Sequence, residues 1–280
     1  MSDRTDIPER IGRHVYTNLK NMQRLKPDSL TEEELAAISD YEEGVKPTEE
    51  QKAKRAEYAQ KVFADPKEAS YEFDKDMLWQ LFTGTWKEQN ELGFEVTNET
   101  IENLKPVMYY FLRDEKFFDC ERLTDKSKPS FDKGLLIMGG YGNGKSSIML
   151  ALHTVLQFHS ELSFAHRDAN DVVSDYEQCK DAQEKEMLWK PLTIGRCFFD
   201  DVKTEEVANN FGKKNLFKDI LEIRYKNKAL THICCNYADG QNGNIQAGLD
   251  EFGVKYGGRV YDRLKHMFNI IEFKGKSMRE

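Results

Sequence analysis

Gly139-Gly140-Tyr141-Gly142-Asn143-Gly144-Lys145-Ser146 satisfies G-x-x-x-x-G-K-[ST] at every fixed position. The apolar run Leu135-Leu136-Ile137-Met138 precedes it, and a stretch rich in Leu, Ile, Met and Ala, Ser147 to Phe158, follows. Strand, glycine loop and helix in this order build a phosphate cradle, in which backbone N–H groups and the positive helix N-terminus face a polyphosphate. A Cβ at the glycines would block close backbone approach or the φ > 0 that the loop requires. Lys145 is expected to reach the β/γ-phosphates and the Ser146 hydroxyl to ligate Mg²⁺, with Gly139 through Ser147 forming the contact surface. The bland alternative is a tight glycine turn, and the flanking strand and helix argue against it.

A phosphate cradle needs an acid at the end of a neighbouring buried strand. Cys197-Phe198-Phe199-Asp200-Asp201 supplies one. Asp200 is expected to order the Mg²⁺ shell and Asp201 to orient the attacking water; otherwise the pair is an acidic strand end capping the next helix. Asn236 ends the apolar strand Thr231-His232-Ile233-Cys234-Cys235. Its amide would either hold a water in line or make an ordinary strand-end turn. Gly257-Gly258-Arg259-Val260-Tyr261-Asp262-Arg263-Leu264 presents arginines that fit either an arginine finger for a neighbouring subunit or a basic helix end favoured by the dipole.

From Phe131 onward short apolar strands alternate with helices, which predicts a mostly parallel, five-stranded α/β sheet. Strands are expected at Gly134–Met138, Leu162–His166, Arg196–Phe199, Leu230–Asn236 and Phe268–Phe273. Helices are expected near Ser146–Phe158, Asn170–Glu184, Asn215–Lys226 and Val254–His266. The front half reads as helical. Capping boxes at Thr31-Glu32-Glu33-Glu34 and Thr48-Glu49-Glu50-Gln51 open helices toward Ser39 and Phe63. Met77, Leu78, Leu81, Phe82 and Trp86 form an apolar stripe over Asp74–Glu88, read as core or as a partner-binding face. A further helix begins at Thr97 or Asn98, with Pro106 predicting a kink or restart. Gly44–Pro47 and Thr124–Pro129 are the linker candidates. The resulting division is a helical, acidic N-terminal region over 1–95 and a nucleotide-binding domain over 96–280, with its P-loop core at 131–280.

Charged residues make up 32% of the 280, and no apolar run approaches the ~20 residues of a membrane span. The N-terminus lacks the apolar core of a signal peptide. Five scattered cysteines without C-x-x-C spacing argue against a disulfide framework and for a reducing, cytoplasmic setting. The Asn98-Glu99-Thr100 sequon is then more simply a helix cap. His153, His159 and His166 show no metal spacing and read as helix and strand surface. Residues 1–130 carry 20 basic and 28 acidic side chains, whereas 131–280 carries 21 of each. The excess acidity suits a protein partner better than a phosphate backbone.

Taken in order, these landmarks resemble the AAA+ ATPases, and more narrowly the branch of DnaC-type helicase loaders and IstB-type transposition helpers. The resemblance covers roughly Phe131 to Glu280. Its most discriminating parts are G-x-R-x-x-D-R-L at Gly257–Leu264 and F-x-G-x-S-x-R at Phe273–Arg279, and the resemblance implies that no helical lid domain is expected. It implies ATP and Mg²⁺ as ligands, Asp200 and Asp201 as the acidic pair, Asn236 as first sensor, and Arg263 as the trans finger with Arg259 second. Arg224 matches an "R-Y" arginine and Arg279 the terminal "S-x-R". It further implies a replicative hexameric DNA helicase as partner, single-stranded DNA bound by the AAA+ domain, and an ATP-dependent homo-oligomer. Arg167, Lys180, Lys185 and Lys190 are the candidate DNA contacts, each taken singly more simply read as a solvated helix face. Asp201 departs from the family's usual Glu, which suggests slow turnover. The competing implications are a helper that activates a transposase and an ATP-gated adaptor that does not hydrolyse.

Overall fold

The computed structural model describes residues 31, 35–36, 38–39, 74–90, 93–157, 159, 161–210 and 212–278. The chain divides into two units, Met1–Ser70 and Tyr71–Glu280. In the first, Leu35 N–H donates to Thr31 O at 3.0 Å, on the segment where the first capping box falls. The Thr48 box and the Gly44–Pro47 candidate linker lie outside the described residues.

The second unit opens with α1 (Lys75–Gln89), capped by Asp74, whose carboxylate accepts from Met77 N–H at 2.7 Å. Helix α2 (Asn98–Leu112) follows, started by a capping box between Thr97 and Thr100. It runs through Pro106 as one element and does not restart there. Next come β1 (Gly134–Gly139), α3 (Lys145–Leu156), β2 (Ala165–Asp168), α4 (Ala169–Gln178) and α5 (Ala182–Thr193). After β3 (Cys197–Asp200), the two-residue strands β4 (Ala208–Asn209) and β5 (Lys213–Lys214) form a small hairpin. The chain continues through α6 (Leu216–Lys226), β6 (Thr231–Asn236), α7 (Ile245–Tyr256), α8 (Gly258–Met267) and β7 (Phe268–Phe273).

Five strands pair in the order β2-β3-β6-β1-β7, every neighbour parallel. Side chains alternate across the sheet, and both faces are covered. Leu135 and Ile137 point into the core shared with α1, α2 and α3, while Leu136 and Met138 point into the core shared with α4 to α8. A strand covered on both sides has no polar face to show, which is why β1 reads as an unbroken apolar run.

Several expectations shift. The helix read over Asn170–Glu184 is two: α4 stops at Cys179, and Asp181 caps α5 by accepting from Glu184 N–H at 2.8 Å. The helix read over Val254–His266 is also two, divided at Gly257, whose φ of 90° ends α7 and opens α8. The second strand begins three residues later than read, at Ala165. The candidate linker at Thr124–Pro129 is docked on β7: Thr124 N–H donates to Ile270 O at 2.9 Å, and the buried Ser127 hydroxyl donates to Phe268 O at 2.7 Å.

Of the apolar stripe of α1, Leu78, Phe82 and Trp86 are core, whereas Leu81 is exposed and Met77 only partly buried. Leu78, Phe82 and Trp86 are buried in the same cluster as Ile148, Met149 and Leu152 of the P-loop helix. Gln89 Nε2 also donates to Thr154 Oγ1 at 2.7 Å. Helix α1, read from sequence as part of the 1–95 region, therefore packs within the second unit, against α3. No helix among the described residues is long and apolar enough to cross a membrane.

Candidate nucleotide site

The site forms where β1, β6 and β3 end. Because β6 lies between β1 and β3, its last residue, Asn236, stands level with Gly139 and between the glycine loop and the acidic strand end. Lys145 opens α3 and turns back over the loop. Its ammonium donates to Gly140 O at 2.6 Å, Gly139 O at 3.2 Å, Asn143 Oδ1 at 3.2 Å and Asn236 Oδ1 at 3.1 Å. Asn143, itself buried, donates from Nδ2 to Phe273 O at 3.0 Å, so the loop is pinned to β7. The next residue, Ser146, donates from Oγ to Asp200 Oδ1 at 2.8 Å.

Asp201 follows with φ 49°, a left-handed conformation uncommon for a side-chain-bearing residue, and its N–H donates to Asp200 Oδ1 at 3.0 Å. That turn lets adjacent acids play different parts: Asp200 faces Ser146, and Asp201 lines the cavity. Thr204 Oγ1 holds the turn from Asp201 O at 2.6 Å and accepts from Asn170 Nδ2 at 3.0 Å.

Burial sets the electrostatics. Desolvation lowers the pKa of Lys145 and raises that of Asp200 to about 6, the Ser146 hydrogen bond only partly opposing the rise. A buried carboxylate that is costly to ionise alone is favoured by a nearby cation.

The cavity measures about 680 Å³ and is lined by Gly142 through Ser147, Tyr141, Asp201 and Asn236. Gly142 and Gly144 adopt φ of 72° and 88°, as a loop that turns its N–H groups toward an anion requires. Sequence reasoning missed the remaining walls. Trp86 and Asn90 come from the end of α1, Asn170 from α4, Thr204 from the turn after Asp201, and Met278 from the C-terminal segment. Only Trp86 carried a signal, as part of the apolar stripe.

The residues present fit a magnesium-bound nucleoside triphosphate. The loop glycines Gly142 and Gly144 take the positive φ of an anion-binding turn, the Lys145 ammonium rests on carbonyl oxygens that phosphate oxygens would replace, and Ser146 with Asp200 forms a hydroxyl–carboxylate pair of the kind that holds Mg²⁺.

The arginines lie elsewhere. Arg259 is exposed on α8, and Arg263 lies 3.7 Å from Glu222 and over the Tyr225 ring; neither lines this cavity. Arg224 is fully buried and donates to the carbonyls of Leu192, Ile194, Gly195 and Leu230 and to Thr231 Oγ1. It is a structural clamp. Arg279 lies outside the described residues. Of the candidate DNA contacts, Arg167, Lys180 and Lys190 are exposed, while Lys185 donates to Asn210 Oδ1 at 3.0 Å and lies over Tyr176. His153 and His166 are half-buried rather than surface residues, and burial lowers the pKa of both.

A parallel sheet with a glycine loop, a lysine and a hydroxyl at the following helix, and an acid on a nearby strand defines an α/β P-loop domain, the fold expected of an AAA+ ATPase. No family model matches the chain, and no curated protein matches it. Among solved structures it is similar to the DnaC helicase loader, at 17% identity and a TM-score of 0.48 over 72% of this chain and 100% of that one. It is also similar to DnaI, at 16% identity and a TM-score of 0.44 over 65% of this chain and 88% of that one.

Proposed function

We propose that this chain is a Mg²⁺-dependent ATPase of the AAA+ class that loads a replicative hexameric DNA helicase. The observation that carries the ATPase reading is the meeting of Lys145, Ser146, Asp200, Asp201 and Asn236 at three adjacent strand ends. Lys145 would exchange its carbonyl partners for the β/γ-phosphates, and Ser146 and Asp200 would hold the Mg²⁺. When bound, the cation neutralises charge developing on the phosphates. Asn236 and Asp201 place and polarise the attacking water. The short side chain of Asp201 suits slow turnover, in which hydrolysis resets a switch. Arg263, with Arg259 behind it, is assigned to a neighbouring copy's γ-phosphate in an ATP-dependent homo-oligomer.

The loader reading rests on the motifs at Gly257–Leu264 and Phe273–Arg279 and on the acidic front of the chain. With α1 committed to the P-loop unit, helicase engagement falls to the residues before it, and single-stranded DNA to the AAA+ unit. Size-exclusion co-elution with the host's replicative helicase, in ATP and in ADP, tests this. A complex kept in ATP and lost on removal of residues 1–70 is the expected result. No complex in either nucleotide contradicts it, and co-elution with a transposase instead would establish the transposition-helper reading.

A further inference from the structure

Lys203 sits at φ 85°, two residues after Asp201 at φ 49°. Positive φ favours glycine, and a lysine held there points to a use for its side chain. That side chain is only 5% exposed. Its ammonium donates to Asn236 O at 2.8 Å and pairs with Glu251 of α7. We infer that Lys203 is a positioning residue for nucleotide hydrolysis, fixing Asn236 and Asp201 relative to each other; this rests on the ATPase reading above.

Asn236 is gripped at both ends. Its side-chain oxygen accepts from Lys145 and its main-chain oxygen accepts from Lys203. The turn that aims Asp201 is fixed by the same residue. Lys203 N–H donates to Tyr256 OH at 3.0 Å and to Glu205 Oε2 at 2.9 Å, and Lys203 O accepts from Lys255 Nζ at 2.6 Å. Tyr256 OH donates in turn to the buried Glu205 at 2.7 Å. These main-chain anchors survive any change of the Lys203 side chain, because Glu205, Tyr256 and Lys255 supply them. The Nζ bond to Asn236 does not. The backbone bond from Val202 N–H to Cys234 O at 3.1 Å also ties this turn to β6, two residues before its end; the Lys203 Nζ bond adds the side-chain hold on Asn236 itself, with α7 as the brace behind it.

The test uses the full chain with Lys203→Met, which keeps the buried stem, and Lys203→Gly, which removes the demand for a left-handed lysine. ATP affinity, single-turnover hydrolysis, thermal stability and amide exchange over residues 234–237 are measured for each. The expected result is hydrolysis slowed about 10- to 100-fold with ATP affinity within about 3-fold of wild type, together with faster exchange at 234–237. Hydrolysis in both variants within about 2-fold of an active wild type overturns the inference and leaves the ATPase reading standing. Affinity, rate and melting temperature falling together overturn it too, by making Lys203 a structural residue only. A wild-type chain that neither binds nor hydrolyses Mg-ATP overturns the ATPase reading itself, and this inference with it.

Discussion

Ser146 Oγ donates to Asp200 Oδ1 across 2.8 Å, joining the first turn of the P-loop helix to the end of a strand 54 residues further on. Neither residue alone distinguishes a nucleotide site from a glycine turn beside an acidic strand end. Their contact is the geometry that the nucleotide-site proposal requires, because burial makes the Asp200 charge costly and a nearby cation would offset it.

Asp200→Asn therefore trades function for stability. With the carboxyl pKa pushed up to about 6, its ionised form at pH 7 opposes folding, and a neutral amide should gain roughly 1–3 kcal/mol. Mg²⁺-dependent ATP binding should weaken by about tenfold or more. Urea unfolding and nucleotide titration, each with and without Mg²⁺, check the two halves. A variant no more stable than wild type that still binds Mg-ATP normally would contradict the assignment.

Helix α1 belongs to the P-loop unit, so truncation should reveal where the fold begins. A chain starting at Tyr71 is expected to fold, and one starting at Val96 is not, because it loses the buried Leu78, Phe82 and Trp86. Within the full chain, Phe82→Ala should cost about 3–5 kcal/mol. Circular dichroism melts of the two truncated chains decide it; equal cooperative melts would place α1 outside the core.

Arg224 answers to stability. Arg224→Met removes the donors from four carbonyls and one hydroxyl, among them the buried Leu192 O and Thr231 Oγ1, and should cost about 3–5 kcal/mol or prevent folding. A variant that folds with wild-type stability but fails to hydrolyse ATP would show that Arg224 acts in the reaction instead.

Acid should loosen the sheet through His232. Its ring is enclosed by Tyr110, Phe111 and Phe164, its Nδ1 accepts the Leu135 N–H at 3.2 Å, and burial pushes its pKa down to about 3. An unfolded histidine titrates near 6.5, so below that pH the unfolded chain binds a proton that the native chain refuses. The stability contributed by neutral His232 is complete above about pH 6.5 and falls as pH drops toward 3, by up to ~1.4 kcal/mol per unit. His232→Asn, which keeps an acceptor for Leu135, should flatten the slope between pH 6.5 and 5 in urea unfolding. Parallel slopes would assign the acid sensitivity elsewhere.

What sequence reveals here follows how local each feature is. The glycine loop, Asp200 and Asn236 are legible because each ends a short strand buried on both faces, where apolar runs stop abruptly. Most of helix α7, the part before Val254, escaped because Gly248 and Gly253 weaken its pattern. The structure explains the first: a Cβ on Gly248 would lie 2.3 Å from Met138 Sδ, so packing against β1 overrides propensity. The α4–α5 break carried a readable signal, Asp181 three residues before Glu184, inside a helix drawn too long. Trp86, Asn90 and Met278 reach the cavity through contacts between distant segments, which no local pattern encodes.

The most direct measurement is calorimetric titration of the wild-type chain and Ser146→Ala with ATP, in Mg²⁺ and in EDTA. The account predicts saturable binding by wild type that Mg²⁺ strengthens, and a variant in which that Mg²⁺ enhancement is lost. Binding that ignores both Mg²⁺ and Ser146, or no binding by the wild type, would contradict it.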